Sequence, residues 1–489
     1  MKKLKIIILG LLISLNFGCN PELESVEFSE INPAIFPQSE SDIEALVLAA
    51  YRPLRGAWWD GFHTTSERGV MFINDASTEI LYGDYGVQEY ATFHSYESNH
   101  QSVTRFYDEF YNKISSNTLS IARIESSSVS DLLKKGGIAE IKCARALLSY
   151  ELFDMYGPIV VAPLEVLENP LIEEPLSRLT NSEMVAFIEQ DLLDAAEDLP
   201  PPSEANYGRF SQGLARMLLI RLYLHEKRWA EVEEQANLIM AMNHYDLEDD
   251  YAGLWDVQAP VDSKEVIWAI PADYIGTSEN QWQLMVLPSN YPVQSGWSTI
   301  QSTWKFYESF EPNDIRKQAL IAEYVGTDGV TYNKQNPGTN IQYGPIPLKI
   351  DLDAERAGLT TVDILVYRYA DVLLSKAEAL ANKTGTPTQE AIDLVNIVRN
   401  RAELDDLLLA DYADIDTFNT MILLERSHEY WCENGQYRAD LIRHGKYNQY
   451  NRELVGVASQ TAPHKVVYPF SLTQISEGKG KFIQNAGYN

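Results

Sequence analysis

The sequence predicts a mostly α-helical protein in which helical hairpins form a scaffold, long irregular loops interrupt it, and strands are few and short. Three observations carry that prediction. First, the stretch GIAEIKCARALLSYELFDMYGPIVVAP, from Gly137 to Pro163, sets Ile138, Ile141, Leu148, Leu152 and Met155 at helical spacing. Leu147, Tyr150 and Phe153 widen the stripe until little of the helix is left for water, so it belongs among other helices. Second, SQGLARMLLIRLYLHEKRWAEVEEQANLIM and YRYADVLLSKAEALANKTGTPTQEAIDLVNIVRNRAEL each read as two helices with a polar break between them. Third, residues 56–99 and 245–360 lose periodicity and gather aromatic, Pro and Gly residues. Long irregular stretches inside a compact protein usually carry function.

The chain opens with Lys2, Lys3 and Lys5 and an uncharged run from Ile6 to Phe17, too short for a stable membrane span. Gly18-Cys19 follows, the pattern of a bacterial lipoprotein signal, with Asn16 where leucine is usual. On this reading residues 1–18 are removed and Cys19 becomes the lipidated first residue. Residues 19–40, acidic and proline-punctuated, form an extended tether, and residues 41–489 form one domain. Ser41 and Glu44 predict a capping box for a first helix through Ala45, Leu48 and Ala49. Helix resumes near Gln101. Thr180 and Glu183 make a second capping box, for a helix that stops at Pro200-Pro201-Pro202.

In the first hairpin the break falls at Glu226–Arg228, with Ala215, Leu219 and Leu222 facing Ala230 and Ala236. In the second it falls at Asn382–Thr386, with Thr386 as cap, Pro387 in the first helical position and Gln389 completing the box. Both resemble tetratricopeptide hairpins, although no regular 34-residue period runs through the chain. Strands are expected at Val266–Ile270 and around the turn Thr327-Asp328-Gly329. A helix then runs through FNTMILLERSHEYWCENGQYRADLIRHGKY to Gly445, and the remainder reads as loop.

Charge excludes some partners. The 39 basic and 70 acidic side chains give a net charge of −31, which repels phosphate backbones, so nucleic acid is no partner. An anionic polysaccharide is disfavoured too, unless a local basic patch overrides the net charge. Cys143 and Cys432 lie in apolar helical stretches where free thiols are common, and the sequence leaves their pairing open.

Enzyme motifs are missing: there is no His-Glu-x-x-His, no Gly-x-Ser-x-Gly and no phosphate-cradling glycine loop. Asp351-x-Asp353-x-Glu355 alternates like a calcium loop, but Ala357 takes the seventh position and no distal glutamate follows, so it reads as a solvated acidic turn. His94 and His100 make no ligand set. Glu425, Arg426, Glu429, Arg438, Asp440 and Arg443 read as helical ion pairs at i,i+3 and i,i+4 spacing. Trp229, Trp255, Trp268 and Trp431 read as structural.

The ordered set EFYNKISSNTLSI, ARALLSYELFDMYGPIVV, GRFSQGLARMLLIRLYLHEKRWAEV and VYRYADVLLSKAEALAN is specific in combination. So are the block from Glu425 to Gly445 and the ending Gln484-Asn485-Ala486-Gly487-Tyr488. Together with the Cys19 signal, this set resembles the SusD/RagB family of outer-membrane lipoproteins of Bacteroidetes. The chain departs from the family at Ala486, where proline is usual, and in the spacing of E-N-G-Q-Y-R. The resemblance implies a helical scaffold with a loop-built ligand face. It also implies anchorage at the outer membrane facing the cell exterior, and capture of oligosaccharides for a TonB-dependent transporter, with no catalysis; a sugar pocket of this kind needs no cofactor or metal, and the sequence leaves calcium open.

Neutral glycans are held by rings stacking on sugar faces, with amides and carboxylates taking the hydroxyls. Two loop clusters offer that chemistry. One comprises Trp58, Trp59, Asp75, Glu79, Tyr82, Tyr85, Gln88, Tyr96 and Asn99; the other comprises Trp282, Gln283, Tyr291 and Trp297. Ligand stacking, core packing and transporter contact compete for each ring. The rival functions are a lid for a non-glycan nutrient such as peptide, and a lipid-anchored glycoside hydrolase.

Overall fold

The structure, a computed structural model, describes residues 36–83, 91–169, 171–172, 174–256, 261–272, 278–352, 359–449 and 459–488. Cys19, the signal, most of the tether, Tyr85, Gln88, and the positions Asp353 and Glu355 of the acidic turn lie outside the described residues.

Helices dominate, as expected. Among them are α1 (Glu40–Tyr51), α2 (Val70–Ala76), α3 (Gln101–Ser126), α4 (Asp131–Tyr156), α5 (Asn181–Asp198), α6 (Gln212–His225) and α7 (Trp229–Met240). After them come α8 (Trp282–Val286), α9 (Tyr369–Thr384), α10 (Gln389–Arg401), α11 (Ile415–Tyr430) and α12 (Tyr437–Arg443). The short strands are β1 (Leu81–Gly83), β2 (Val266–Ile270), β3 (Ile300–Ser302), β4 (Leu320–Ile321), β5 (Tyr324–Val325), β6 (Thr331–Tyr332), β7 (Ile346–Pro347) and β8 (Ile364–Arg368). They pair antiparallel as β1–β3, β2–β8, β4–β7 and β5–β6.

The long helices pack in succession: α3 on α4, α4 on α5, α5 on α6, α6 on α7, α7 on α9 and α9 on α10. Stacking of neighbouring helix pairs buries a continuous core without a central sheet. In α4 the whole segment from Ala144 to Phe153 is buried, which makes it the central helix the sequence indicated. A second core lies under the loops, around Trp255, Trp282, Phe306, Phe310 and Trp431.

Several local expectations are corrected. The first cap is Ser39, whose hydroxyl accepts from Asp42 N–H at 3.3 Å while Asp42 accepts from Ser39 N–H at 3.1 Å. The second hairpin is capped by Thr388, not Thr386, because Gly385 turns left-handed (φ +73°) and delays the restart. Ala230 is exposed, and Val232 and Ala236 supply the buried face of α7. A short helix, Leu472–Glu477, sits in the C-terminal stretch read as loop.

The helix expected through Gly445 is broken into α11 and α12 by a turn over residues 431–436, with Cys432 at φ +56°. Tertiary partners hold that turn. Lys349 Nζ donates to Glu429 O at 2.8 Å, to Trp431 O at 3.1 Å and to Glu433 at 2.5 Å, and Cys432 N–H donates to Asp75 at 2.9 Å. The charged block is buried, and its pairs cross between elements. Arg316 meets Glu425 and Glu429, Arg368 meets Glu265, Glu429 and Glu433, and Arg426 meets Asp371 and Asp440. Arg443–Asp440 alone in this block has the helical i,i+3 spacing among the described pairs. Cys143 and Cys432 are free, buried thiols.

Candidate functional site

The two irregular stretches converge. Loop 56–66 is stitched to loop 278–283 by small polar groups. Thr65 Oγ1 donates to Asn280 Oδ1 at 3.0 Å and accepts from Gln281 N–H at 2.7 Å, and Gly56 N–H donates to Ser278 Oγ at 3.2 Å. Beyond α8 the chain folds back tightly: Gly296 N–H donates to Pro288 O at 3.2 Å and Trp297 N–H to Leu284 O at 2.8 Å. A Cβ at position 296 would stand 2.4 Å from Leu287 O, so glycine alone fits this close approach.

These loops bring Trp58, Trp59 and Trp297 together at the surface. The Trp58 and Trp59 rings are near-parallel (13°) with centroids 6.1 Å apart, and Trp297 tilts at 50° to Trp58 with centroids at 5.5 Å. Trp59 is 68% exposed, Trp297 is 53% exposed and Trp58 is half-buried, so this is an open ring face. Exposed tryptophans in contact are unusual on a soluble surface and mark an interaction site. Arg55 pairs with Asp60 at 2.7 Å, closing the loop that carries Trp58 and Trp59. The Arg68 guanidinium lies over the Trp59 ring at 5.6 Å and pairs with Glu109 at 3.1 Å. Arg105 holds the Arg68 carbonyl from below. Burial pushes the imidazole of His63, at the base of this loop, down to about 3, so it is neutral at pH 7.

The remaining sequence candidates do not join this face. Trp282 is a core residue, 3% exposed, with its Nε1 donating to Pro347 O at 2.9 Å and its ring stacked on Phe72. Asp75 and Tyr96 are fully buried; Asp75 binds the 431–436 turn and Tyr96 OH donates to Lys465 O at 3.1 Å. These three present nothing to a surface ligand. Tyr82 is buried on β1 and stacks on Tyr343 at 3.5 Å, whereas Tyr291 is half-buried against Tyr324 at 5.4 Å. Glu79 is buried and accepts from Tyr437 OH at 2.6 Å, and Gln283 donates to Leu359 O at 2.8 Å. Asn99 is exposed just before α3. Arg68 is a site residue that the sequence does not single out, because it sits in an aperiodic loop and meets Trp59 and Glu109 only in the folded chain. Among the described residues no group of His, Cys, Asp and Glu is arranged to hold a metal ion, and no helix is long and apolar enough to cross a membrane.

A stack of helix pairs with long loops and a few short antiparallel strands is the SusD-like fold of its structural neighbours. The model of the SusD family matches residues 264–479, and that of a family described as starch-binding and associating with the outer membrane matches residues 38–224. The SusD-like protein P38 of Formosa agariphila is 23% identical over 100% of both chains. A SusD superfamily crystal structure from Bacteroides vulgatus superposes with TM-score 0.78 at 18% identity, covering 93% of this chain and 100% of that one. Surface glycan-binding protein A from Bacteroides thetaiotaomicron, in complex with laminarihexaose, gives TM-score 0.72 at 18% identity, covering 91% and 99%. Residues 264–479 thus match the SusD family, and over its whole length the chain is similar to SusD-like proteins.

Proposed function

We propose that this protein is a cell-surface glycan-binding lipoprotein. It captures oligosaccharides on the Trp58–Trp59–Trp297 face and delivers them to a TonB-dependent outer-membrane transporter, with Cys19 as the lipid anchor and no catalysis of its own. The carrying observation is the convergence of two separate loops on one exposed, rigidly backed set of indoles. Large flat rings bind the apolar faces of pyranose rings with little loss of conformational freedom. Support comes also from the laminarihexaose bound by a protein of the same fold.

The test is isothermal titration of the chain from residue 20 onward with malto-, laminari-, xylo- and manno-oligosaccharides, with uronate oligomers, and with peptides. Saccharide binding that Trp297→Ala weakens is the expected result. Binding of peptides alone would make the protein a receptor for another nutrient, and steady release of new reducing ends would make it a hydrolase.

A further inference from the structure

A second set of rings stands beside the tryptophan face. β5 and β6 pair as Tyr324↔Tyr332 and Val325↔Thr331, and this hairpin is fastened to the 288–298 loop by Thr327 N–H donating to Asn290 O at 2.9 Å. So short a hairpin adds little stability by itself. It leaves Val325 and Val330 in water, 54% and 41% exposed.

On the hairpin and the adjoining loop, Tyr291, Tyr324 and Tyr332 form a ladder. Centroids are 5.4 Å apart in the first pair and 5.1 Å in the second, where the rings are near-parallel (16°). Tyr324 is buried at its base, and Tyr291 and Tyr332 are half-buried beside it. Two of the hydroxyls are tethered. Tyr324 OH donates to Asn290 Oδ1 at 2.9 Å, and Tyr332 OH donates to Asp328 Oδ2 at 2.7 Å. The backbone makes room for the outer ring: Gly338 adopts φ +56°, and a Cβ there would stand 2.8 Å from Tyr332 Cε1. Asn340 ties the ladder to the first face. Its side chain donates to Asn290 Oδ1 at 3.0 Å, and its carbonyl accepts at 2.8 Å from Ser298, the residue after Trp297.

We propose that this tyrosine ladder is a second stacking subsite for the same carbohydrate chain whose other units lie on Trp58, Trp59 and Trp297. The proposal rests on the sugar reading of the tryptophan face. Two of these rings are pinned by their hydroxyls to Asn290 and Asp328, and fixed rings flanked by polar side chains are the chemistry a pyranose requires. A ligand spanning both sets is an oligomer, and two linked subsites bind it more tightly than either alone.

The experiment is titration of the same chain with a size series, disaccharide to hexasaccharide, of whichever saccharide binds in the panel above. Native affinity is expected to climb again after the shortest binder. Tyr332→Ala and, separately, Tyr291→Ala should weaken the longest members by on the order of tenfold while sparing the shortest. Trp297→Ala should weaken the whole series. If native affinity levels off at the shortest binder, or the tyrosine variants weaken long and short members alike, the ladder is no subsite and the tryptophan reading stands. If Trp297→Ala changes nothing, or no saccharide binds, the tryptophan reading fails and takes this one with it. The native size series needs no variant, so a tyrosine variant that fails to fold leaves the question decidable.

Discussion

Trp282 and Trp297 share one loop-rich stretch and meet opposite fates. Trp282 opens α8, buried with its indole nitrogen satisfied, whereas Trp297 stands 53% exposed beside Trp58. Trp297→Ala should therefore cost about 1–3 kcal/mol of saccharide binding and leave the melting temperature unchanged. Trp282→Ala should cost about 3–5 kcal/mol of stability, read by urea denaturation, because it opens a cavity. Asp75 makes a different kind of residue-scale prediction. Burial raises its carboxyl to about 8, the Cys432 amide opposing that only in part. The folded state thus holds a proton that the unfolded chain releases near pH 3.8, so this group's contribution is complete below that pH and is lost as pH rises toward about 8. Asp75→Asn, which keeps an acceptor for Cys432 N–H, should flatten that decline in a series of melts across this window.

At the scale of elements, the turn between α11 and α12 depends on charges that local spacing does not reveal. Arg368 donates to both oxygens of Glu433 at 2.7–2.8 Å and to Glu429 at 2.9 Å, and it contacts Glu265, all of them buried. Burial alone would raise the Glu429 carboxyl, but Arg401, Arg368 and Arg316 hold it well below the usual carboxylate range. Arg368→Met should destabilise by roughly 3–5 kcal/mol in denaturant titrations, since it strands buried carboxylates without a cation. The C-terminal motif is likewise an anchor. Asn485 Nδ2 donates to Tyr156 O at 2.9 Å and Tyr468 O at 2.8 Å, and Arg178 donates to Asn485 Oδ1 at 2.7 Å. Asn485→Ala should lower the melting temperature by a few degrees without touching saccharide affinity, since a lost buried hydrogen-bond set costs on the order of 1–3 kcal/mol.

At the scale of the whole molecule, the buried thiols of Cys143 and Cys432 report on global opening. Burial pushes Cys143 and Cys432 well above the ordinary thiol range. A thiol reagent at about pH 8 should leave both unlabelled in the native chain and label both on denaturation. Earlier labelling of Cys432 would show that the 431–436 turn opens by itself.

By itself the sequence determined the helical class, the buried α4, the hairpin break before α7, the strand at Val266–Ile270 and the aromatic richness of the loops. Each of those follows from periodicity, caps and turn residues, which are local. Which rings face water was decided by tertiary structure alone. Trp58 and Trp297 are far apart in the chain and meet only because Thr65, Asn280 and Gly296 fold two aperiodic loops onto each other. For the same reason the charged block became a cross-element network instead of a set of helical pairs. Hydrophobic periodicity tells a helix which face to bury, but a loop has no period, so burial there is settled by what packs against it.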